Sequence, residues 1–356
     1  MAFLMSDTLS QDDAAGKRFR ATVTAIALVA FVLVVTQTDV NLTDLSDVGA
    51  VYAIATTLLA GLLLTLRIAL DMIVGLVRER LGKAERGAIY KQVLGRVNWR
   101  DFITALFALA VTTTSFTAYK TLHISNTGYD WDALFIAWDR AIFFGQDAWV
   151  VSHAAFPTAN ATRIIDHFYH AAFLPMVMGY LFCVALQDRP ALRYTYMICY
   201  LAGFVIVGML MAAWLSSAGP VYDGHIFGDG QTFAPLIERL AAQHAEMPQI
   251  GAVKHQSYLL QVHGLGSVEL GSGISAMPSV HIVLVLIWMF AAWHIHKALG
   301  ALMALYTGLI WIGSVHLGWH YFVDGLVSLA VILVVWRVVG QWMGLYPSAY
   351  VIRATT

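Results

Sequence analysis

The sequence predicts an all-α protein threaded through a membrane about eight times, and three observations predict it. Of 356 residues, 59% are hydrophobic and only 12% are charged, far less charge than a water-soluble chain of this size carries. Apolar runs of about 17 to 25 residues, long enough to cross a bilayer as helices, recur along the chain. The loops between them are basic on one side and acidic or mixed on the other. The expected spans are 21–37, 50–76, 101–119, 165–186, 193–216, 277–297, 299–318 and 319–340.

The first span follows Lys17, Arg18 and Arg20 in the manner of a signal sequence. No small-residue cleavage site follows it, so it reads as a retained anchor. It pairs with the second span into an N-terminal membrane hairpin, expected to occupy 1–100 and to end in a basic loop. That loop carries Arg78, Arg80, Lys83, Arg86, Lys91, Arg96 and Arg100, and Gln187–Leu192 and the turn near Lys297 are basic as well. Asp39, Asp44, Asp47, Asp130, Asp132, Asp139 and Asp147 lie on the other side. The positive-inside rule therefore puts both termini in the cytoplasm, in a plasma or inner membrane or its Golgi equivalent. The rest, 101–345, reads as one larger membrane domain.

Between the third and fourth spans, "WDALFIAWDRAIFFG" is neither a span nor a loop. Trp131, Leu134, Phe135, Trp138 and Ile142 recur at helical spacing opposite Asp132, Asp139 and Arg140. That pattern suits a helix in the outer interface, either a solvated amphipathic cover or a lid. Cys183 and Cys199 fall inside apolar runs and read as buried thiols, and no cysteine spacing suits a metal. A net charge of -1, with no basic patch interleaved with aromatics, gives no sign of a nucleic-acid partner. Asn41 and Asn160 begin glycosylation patterns that matter only in a eukaryotic secretory pathway.

Two helix beginnings carry the chemistry. "MPSVH" opens the 277–297 span and "HYFVDG" opens the last one, and the alternation of spans sets both at the outer face. Pro278 suits the first turn of a helix. Free N–H groups around Ser279 and Val280, with the Ser279 hydroxyl, then form an anion site of the kind that holds phosphate. His281 hangs beside it, placed to give or take a proton. Four residues after His320 comes Asp324, on the same helical face. Its carboxylate can accept from one imidazole nitrogen, fixing the tautomer and leaving the other nitrogen as a nucleophile. Charged groups inside spans are functional by default. His316, His320 and Asp324 also share a face at metal-ligand spacing. No His-Glu-x-x-His motif accompanies them, and a helix-start anion site is a poor neighbour for a cation, so neither metal nor other cofactor is expected.

At these residues the sequence resembles the type 2 phosphatidic acid phosphatase superfamily, membrane enzymes with six core helices. "MPSVH" is similar to the family's Pro-Ser-Gly-His element and "HYFVDG" to its His-x-x-x-Asp element. The resemblance covers the last six spans and makes 101–345 the catalytic membrane domain. It implies that His320 attacks phosphorus while His281 serves the leaving group. Two departures stand out. The arginine that family phosphatases carry six residues before the nucleophile is here Ser314. Their Lys-x6-Arg-Pro element is missing too: the only Arg-Pro, Arg189-Pro190, has Phe182 at the lysine position and lies on the opposite side.

The branch lacking those cations looks like the inositol phosphorylceramide synthases and related inositolphosphotransferases, enzymes of sphingolipid metabolism. "SSAGPVYDG", at the outer end of the fifth span, resembles that branch too and offers Tyr222 as a hydroxyl donor or an interfacial anchor. At the same depth Arg163, Asp166, His167 and His170 begin the fourth span; Asp166 and His170, spaced i, i+4, suit headgroup recognition or helix packing. Arg239 and Lys254, in the long outer loop, are candidate replacements for the absent cations.

The implied reaction moves phosphate from a phospholipid donor to a lipid hydroxyl through a phosphohistidine; with water as acceptor the same chemistry makes a phosphatase. A transporter is the rival from another class. Its ionisable groups belong near mid-membrane on interrupted helices, whereas these cluster at one face.

Overall fold

The computed structural model describes residues 2–79, 97–171, 179–181, 183 and 189–346. Every regular element among them is helical. In chain order they are α1 (Ala2–Gln37), α2 (Leu42–Glu79), α3 (Trp99–Leu122), α4 (Asp132–Ile142), α5 (Ala148–Ala155), α6 (Ala159–Ala171), α7 (Pro190–Val205), α8 (Ala234–Glu246), α9 (Gly251–Leu265), α10 (Val280–Ile295), α11 (Lys297–His316) and α12 (Phe322–Trp342). α7 continues through a π-helical turn, Ile206–Met211, into Ala212–Trp214.

Among the described residues, six stretches are long and apolar enough to cross a membrane: Ala14–Gln37, Leu42–Val74, Trp99–Asn126, Pro190–Trp214, Lys297–His316 and Phe322–Trp342. Six of the eight expected spans are thereby seen. The 277–297 span is apolar but only 16 residues long as a helix, because it starts at Val280. Half of the 165–186 span (172–178, 182 and 184–186) falls outside the described residues, as does the basic run from Arg80 to Arg96. Large apolar side chains stay exposed along the outside of the bundle: Leu28 and Val35 on α1, Ile54 and Leu58 on α2, Leu305 on α11, Val334 and Val338 on α12. A hydrocarbon surrounding accounts for that; water does not.

The ends of α3 and α7 remote from the histidines are tied together by charge. Arg20 of α1 donates to Asp101 at 2.5 Å, Tyr194 donates to the same carboxylate at 2.5 Å, and Arg193 lies 3.6 Å from it. Phe19 stacks on Tyr194 with ring centroids 4.5 Å apart, so α1 packs directly on α7. At this same end Arg189 donates to the carbonyl of His294, and Pro190 occupies the first turn of α7.

At the opposite end three irregular segments meet. Residues 216–222 follow α7, 272–279 lead into α10, and 317–321 join α11 to α12. Ala276 donates its N–H to Ser217, and Val221 donates to Gly318. Gly219 has φ +95°, and a Cβ there would lie 2.6 Å from the Trp319 carbonyl oxygen. Only glycine lets the first segment pass that close to the third.

Helix α4 lies across this junction with its faces opposite to the expected solvated arrangement. Asp132 and Asp139 are buried, and Phe135 of the apolar stripe with them, while Trp131, Leu134, Trp138 and Ile142 are exposed. Asp132 accepts from Ser217 Oγ at 2.8 Å, the N–H groups of Ala218 and Gly219 at 3.0 Å, and Tyr321 Oη at 2.8 Å. Asp139 accepts from the N–H groups of Phe322 at 2.8 Å and Val323 at 3.0 Å. Burying a carboxylate is costly unless such donors surround it. The polar face of α4 therefore grips the protein, and its apolar face is the one that suits lipid.

Candidate active site

The sequence begins α10 at a serine for a physical reason. Ser279 has extended backbone, and its hydroxyl accepts the N–H of Ile282 at 3.4 Å, the geometry of an N-cap. Pro278 stands before the cap, outside the helix, which corrects its expected place in the first turn. The expected donor at Val280, and the His281 N–H beside it, lie in the first turn of α10, ahead of any carbonyl of that helix that could accept them. Gly208, in the π-helical turn of α7, gives the room that Val280 needs: a Cβ there would meet Val280 Cγ2 at 2.8 Å and Phe116 at 2.6 Å. Irregular helical turns of this kind recur at functional sites.

His320 is held on both sides. Its Nδ1 lies 2.8 Å from the Ala276 carbonyl and 3.0 Å from Asp324 Oδ2. Two acceptors at one nitrogen place the proton on Nδ1, which leaves the Nε2 lone pair for chemistry. Nε2 lies 3.2 Å from Ser279 Oγ, at the start of α10. Asp324 is fully buried. Its Oδ2 also accepts the Tyr321 N–H at 3.1 Å, and its Oδ1 has no hydrogen-bond partner among the described residues. Ser328, one turn further along α12, donates to both the Ser279 and the Asp324 carbonyls, fastening the α10 cap to the helix that orients the histidine.

The second imidazole faces the first: the His281 and His320 ring centroids are 6.4 Å apart. His281 stacks on Tyr169 of α6 at 5.3 Å, and its nitrogens make no hydrogen bond among the described residues. The structure thus brings Ser279, Val280, His281, His320 and Asp324 to one place. A phosphate there would meet a lone pair, two helix-start N–H groups and a hydroxyl, with a second imidazole within reach.

The other expected residues go elsewhere. The Asp166 carboxylate caps α9, accepting from Gly251 at 2.7 Å and Ala252 at 3.0 Å, and pairs with His170 Nδ1 at 2.8 Å. His170 faces His255 and Trp319, with centroids 5.9 and 6.4 Å away, and sits beside Tyr169, the ring that stacks on His281. Tyr222 is buried, and its hydroxyl has no partner among the described residues. Arg239 donates to the Pro157 carbonyl, and Lys254 is exposed on α9. Ser314 turns its hydroxyl back to the Trp311 carbonyl, while its own carbonyl receives the His320 N–H at 3.2 Å.

His316, despite its position one turn before His320, points into a separate buried cluster. It stacks on His153 with centroids 3.7 Å apart and meets Thr162 Oγ1 at 2.8 Å and Ser152 Oγ at 3.3 Å. Burial pushes His153 down to about 4, with its Nε2 on the His316 carbonyl.

A family model described as the PAP2 superfamily matches residues 133–338, more than half of the chain. The chain belongs to the PAP2 superfamily. The match takes in both histidines, Asp324 and Asp139 of α4, and leaves Asp132 and α1 to α3 outside. Its members are phosphatases and phosphotransferases acting on lipid phosphates in membranes, so this PAP2 chain is a lipid phosphatase or phosphotransferase. Comparison with curated proteins and with solved structures gave no match.

Proposed function

We propose that this PAP2 protein is a lipid phosphotransferase that moves a phosphate-bearing headgroup from a phospholipid to a lipid hydroxyl, with His320 as nucleophile. The observation that carries the reading is the pair of acceptors at His320 Nδ1, which aims the Nε2 lone pair at the start of α10. In the first step Nε2 bonds to phosphorus and the bond from phosphorus to the donor lipid's oxygen breaks. His281 gives its proton to that oxygen; the incoming anion favours the imidazolium it needs. In the second step the acceptor hydroxyl loses its proton to His281, its oxygen bonds to phosphorus, and the P–N bond breaks. The α10 N–H groups and Ser279 stabilise the charge that spreads over the phosphoryl oxygens. Asp324 holds the Nδ1 proton and is not consumed.

Transfer is favoured over hydrolysis by what surrounds the site. Ser314 is no cation, and Arg189 is held by the His294 carbonyl at the far end of the helices, so neither offers the charge that a terminal phosphate dianion calls for, whereas a phosphodiester carries one negative charge. The exposed apolar face of α4 suits a site that meets lipid. An inositol-bearing donor and a ceramide or diacylglycerol acceptor follow from the resemblance of the 216–224 and 320–324 segments. The site is proposed to face away from the cytoplasm. Purified protein given phosphatidylinositol with ceramide, phosphatidylinositol with diacylglycerol, and phosphatidic acid alone tests the reading. A new phosphodiester lipid from either pair is the expected result. Rapid release of inorganic phosphate from phosphatidic acid, with no transfer product from either pair, would make the protein a phosphatase.

A further inference from the structure

One further cation lies on α3. Lys120 occupies the last turn of that helix, partly buried, with its ammonium 5.6 Å from the centre of the Phe116 ring. Among the described residues it makes no hydrogen bond or ion pair. Phe116 in turn packs where Val280 opens α10, since a Cβ at Gly208 would meet the Phe116 ring at 2.6 Å and Val280 Cγ2 at 2.8 Å. Burial, with the charges of His170 and Lys120, pushes the His255 imidazole below its usual value. Lys120 therefore stands on the ring that packs beside the start of α10, while His255, His170 and Trp319 form a basic and aromatic group with ring centroids 5.9 to 6.4 Å apart.

The carboxylates nearby are committed elsewhere. Asp166 serves the start of α9 and His170, and Asp324 serves His320. The placement of Lys120 is also built in. Thr121 Oγ1 and Ser272 Oγ lie 2.7 Å apart. Gly273, at φ +89°, packs so closely that a Cβ there would lie 2.9 Å from Lys120 Cγ. The segment that ends in the α10 cap is thereby fastened to the turn that carries the lysine. An ammonium drawn partly out of water on a spanning helix, with no anion beside it, calls for one supplied by a ligand.

We propose that Lys120 binds the phosphate of a phospholipid headgroup at the His281–His320 site, as the counter-charge for a phosphodiester. The proposal rests on the phosphotransfer reading above and deepens it: one ammonium balances the one negative charge of a diester. Arg239 and Lys254 are then not the substrate cations.

Short-chain phosphatidylinositol and inorganic phosphate, each titrated into the purified full-length protein and followed by phosphorus NMR line broadening, test it. Lys120→Gln should weaken phosphatidylinositol binding at least tenfold, Lys120→Arg should stay within about threefold of wild type, and Lys254→Gln should match wild type. Equal affinity of Lys120→Gln and wild type would overturn the proposal. So would a loss confined to inorganic phosphate, or an absence of phosphatidylinositol binding by wild type. A second measurement needs no variant: bound phosphatidylinositol should slow chemical acetylation of Lys120, resolved by mass spectrometry, and leave Lys254 unaffected. Equal acetylation of Lys120 with and without the lipid would overturn it as well. Turnover separates the two readings. A protein that binds through Lys120 yet transfers nothing refutes the reaction, while full transfer by Lys120→Gln at wild-type KM refutes the lysine.

Discussion

At the scale of single residues, His320 shows how a short sequence interval becomes chemistry. The i, i+4 spacing of His320 and Asp324 was sufficient to foresee their contact, because residues so placed share a helical face. The Ala276 carbonyl, the second acceptor at Nδ1, was not legible, since it arrives from 44 positions away across a junction of loops. Ser328 and Tyr169 were missed for a similar reason: a serine and a tyrosine in apolar runs carry no signal until their neighbours are known. Asp324→Asn should leave the fold intact and slow transfer by about 100-fold or more, because the amide can present its NH2 to Nδ1 and disfavour the reactive tautomer. Steady-state transfer rates, with the circular dichroism spectrum as control, check this. An unchanged rate would remove Asp324 from the orienting role.

At the scale of elements, α4 is where amphipathicity misleads. Its sequence shows an apolar and a polar stripe, and in water the polar stripe faces out. At a membrane surface the sense reverses, and the pattern alone does not tell which neighbour each stripe meets. The structure turns Asp139 inward onto the first N–H groups of α12, the helix that carries Asp324. Burial pushes the Asp139 carboxyl up to about 7; the Phe322 and Val323 N–H groups oppose the shift, and Asp324 and Asp147 add to it. A raised pKa means that the folded protein holds this proton more tightly than the unfolded chain. The contribution of Asp139 to stability therefore falls as pH climbs from about 4 to about 7 and is level above that. Asp139→Asn removes this slope while keeping one acceptor for the α12 cap, a cap of this kind contributing about 1 kcal/mol. Thermal midpoints in detergent from pH 4.5 to 8.5 should show the wild type declining relative to the variant up to about pH 7. Parallel curves would show that Asp139 does not titrate there.

At the scale of the whole molecule, composition and apolar run length were sufficient for the fold class, since crossing a bilayer imposes both. The ends of α10 were not legible to the residue, because only the cap geometry at Ser279 marks where helix begins. Orientation rests on the basic loops. Gly264 is exposed near the end of α9 with open space around it, and Ala298 is exposed at the α10–α11 turn. With Cys183 and Cys199 replaced, Gly264→Cys should react with an impermeant thiol reagent in intact cells and Ala298→Cys should not; the reverse would place the site in the cytoplasm. The two histidines, the cap and the clamp have a common purpose only if His320 carries phosphate during turnover. The most direct measurement supplies phospholipid labelled in its phosphate to the purified protein, quenches during turnover and follows the label into the chain. Acid-labile, alkali-stable label on wild type and none on His320→Ala is the predicted result; label of that kind persisting on His320→Ala would contradict it.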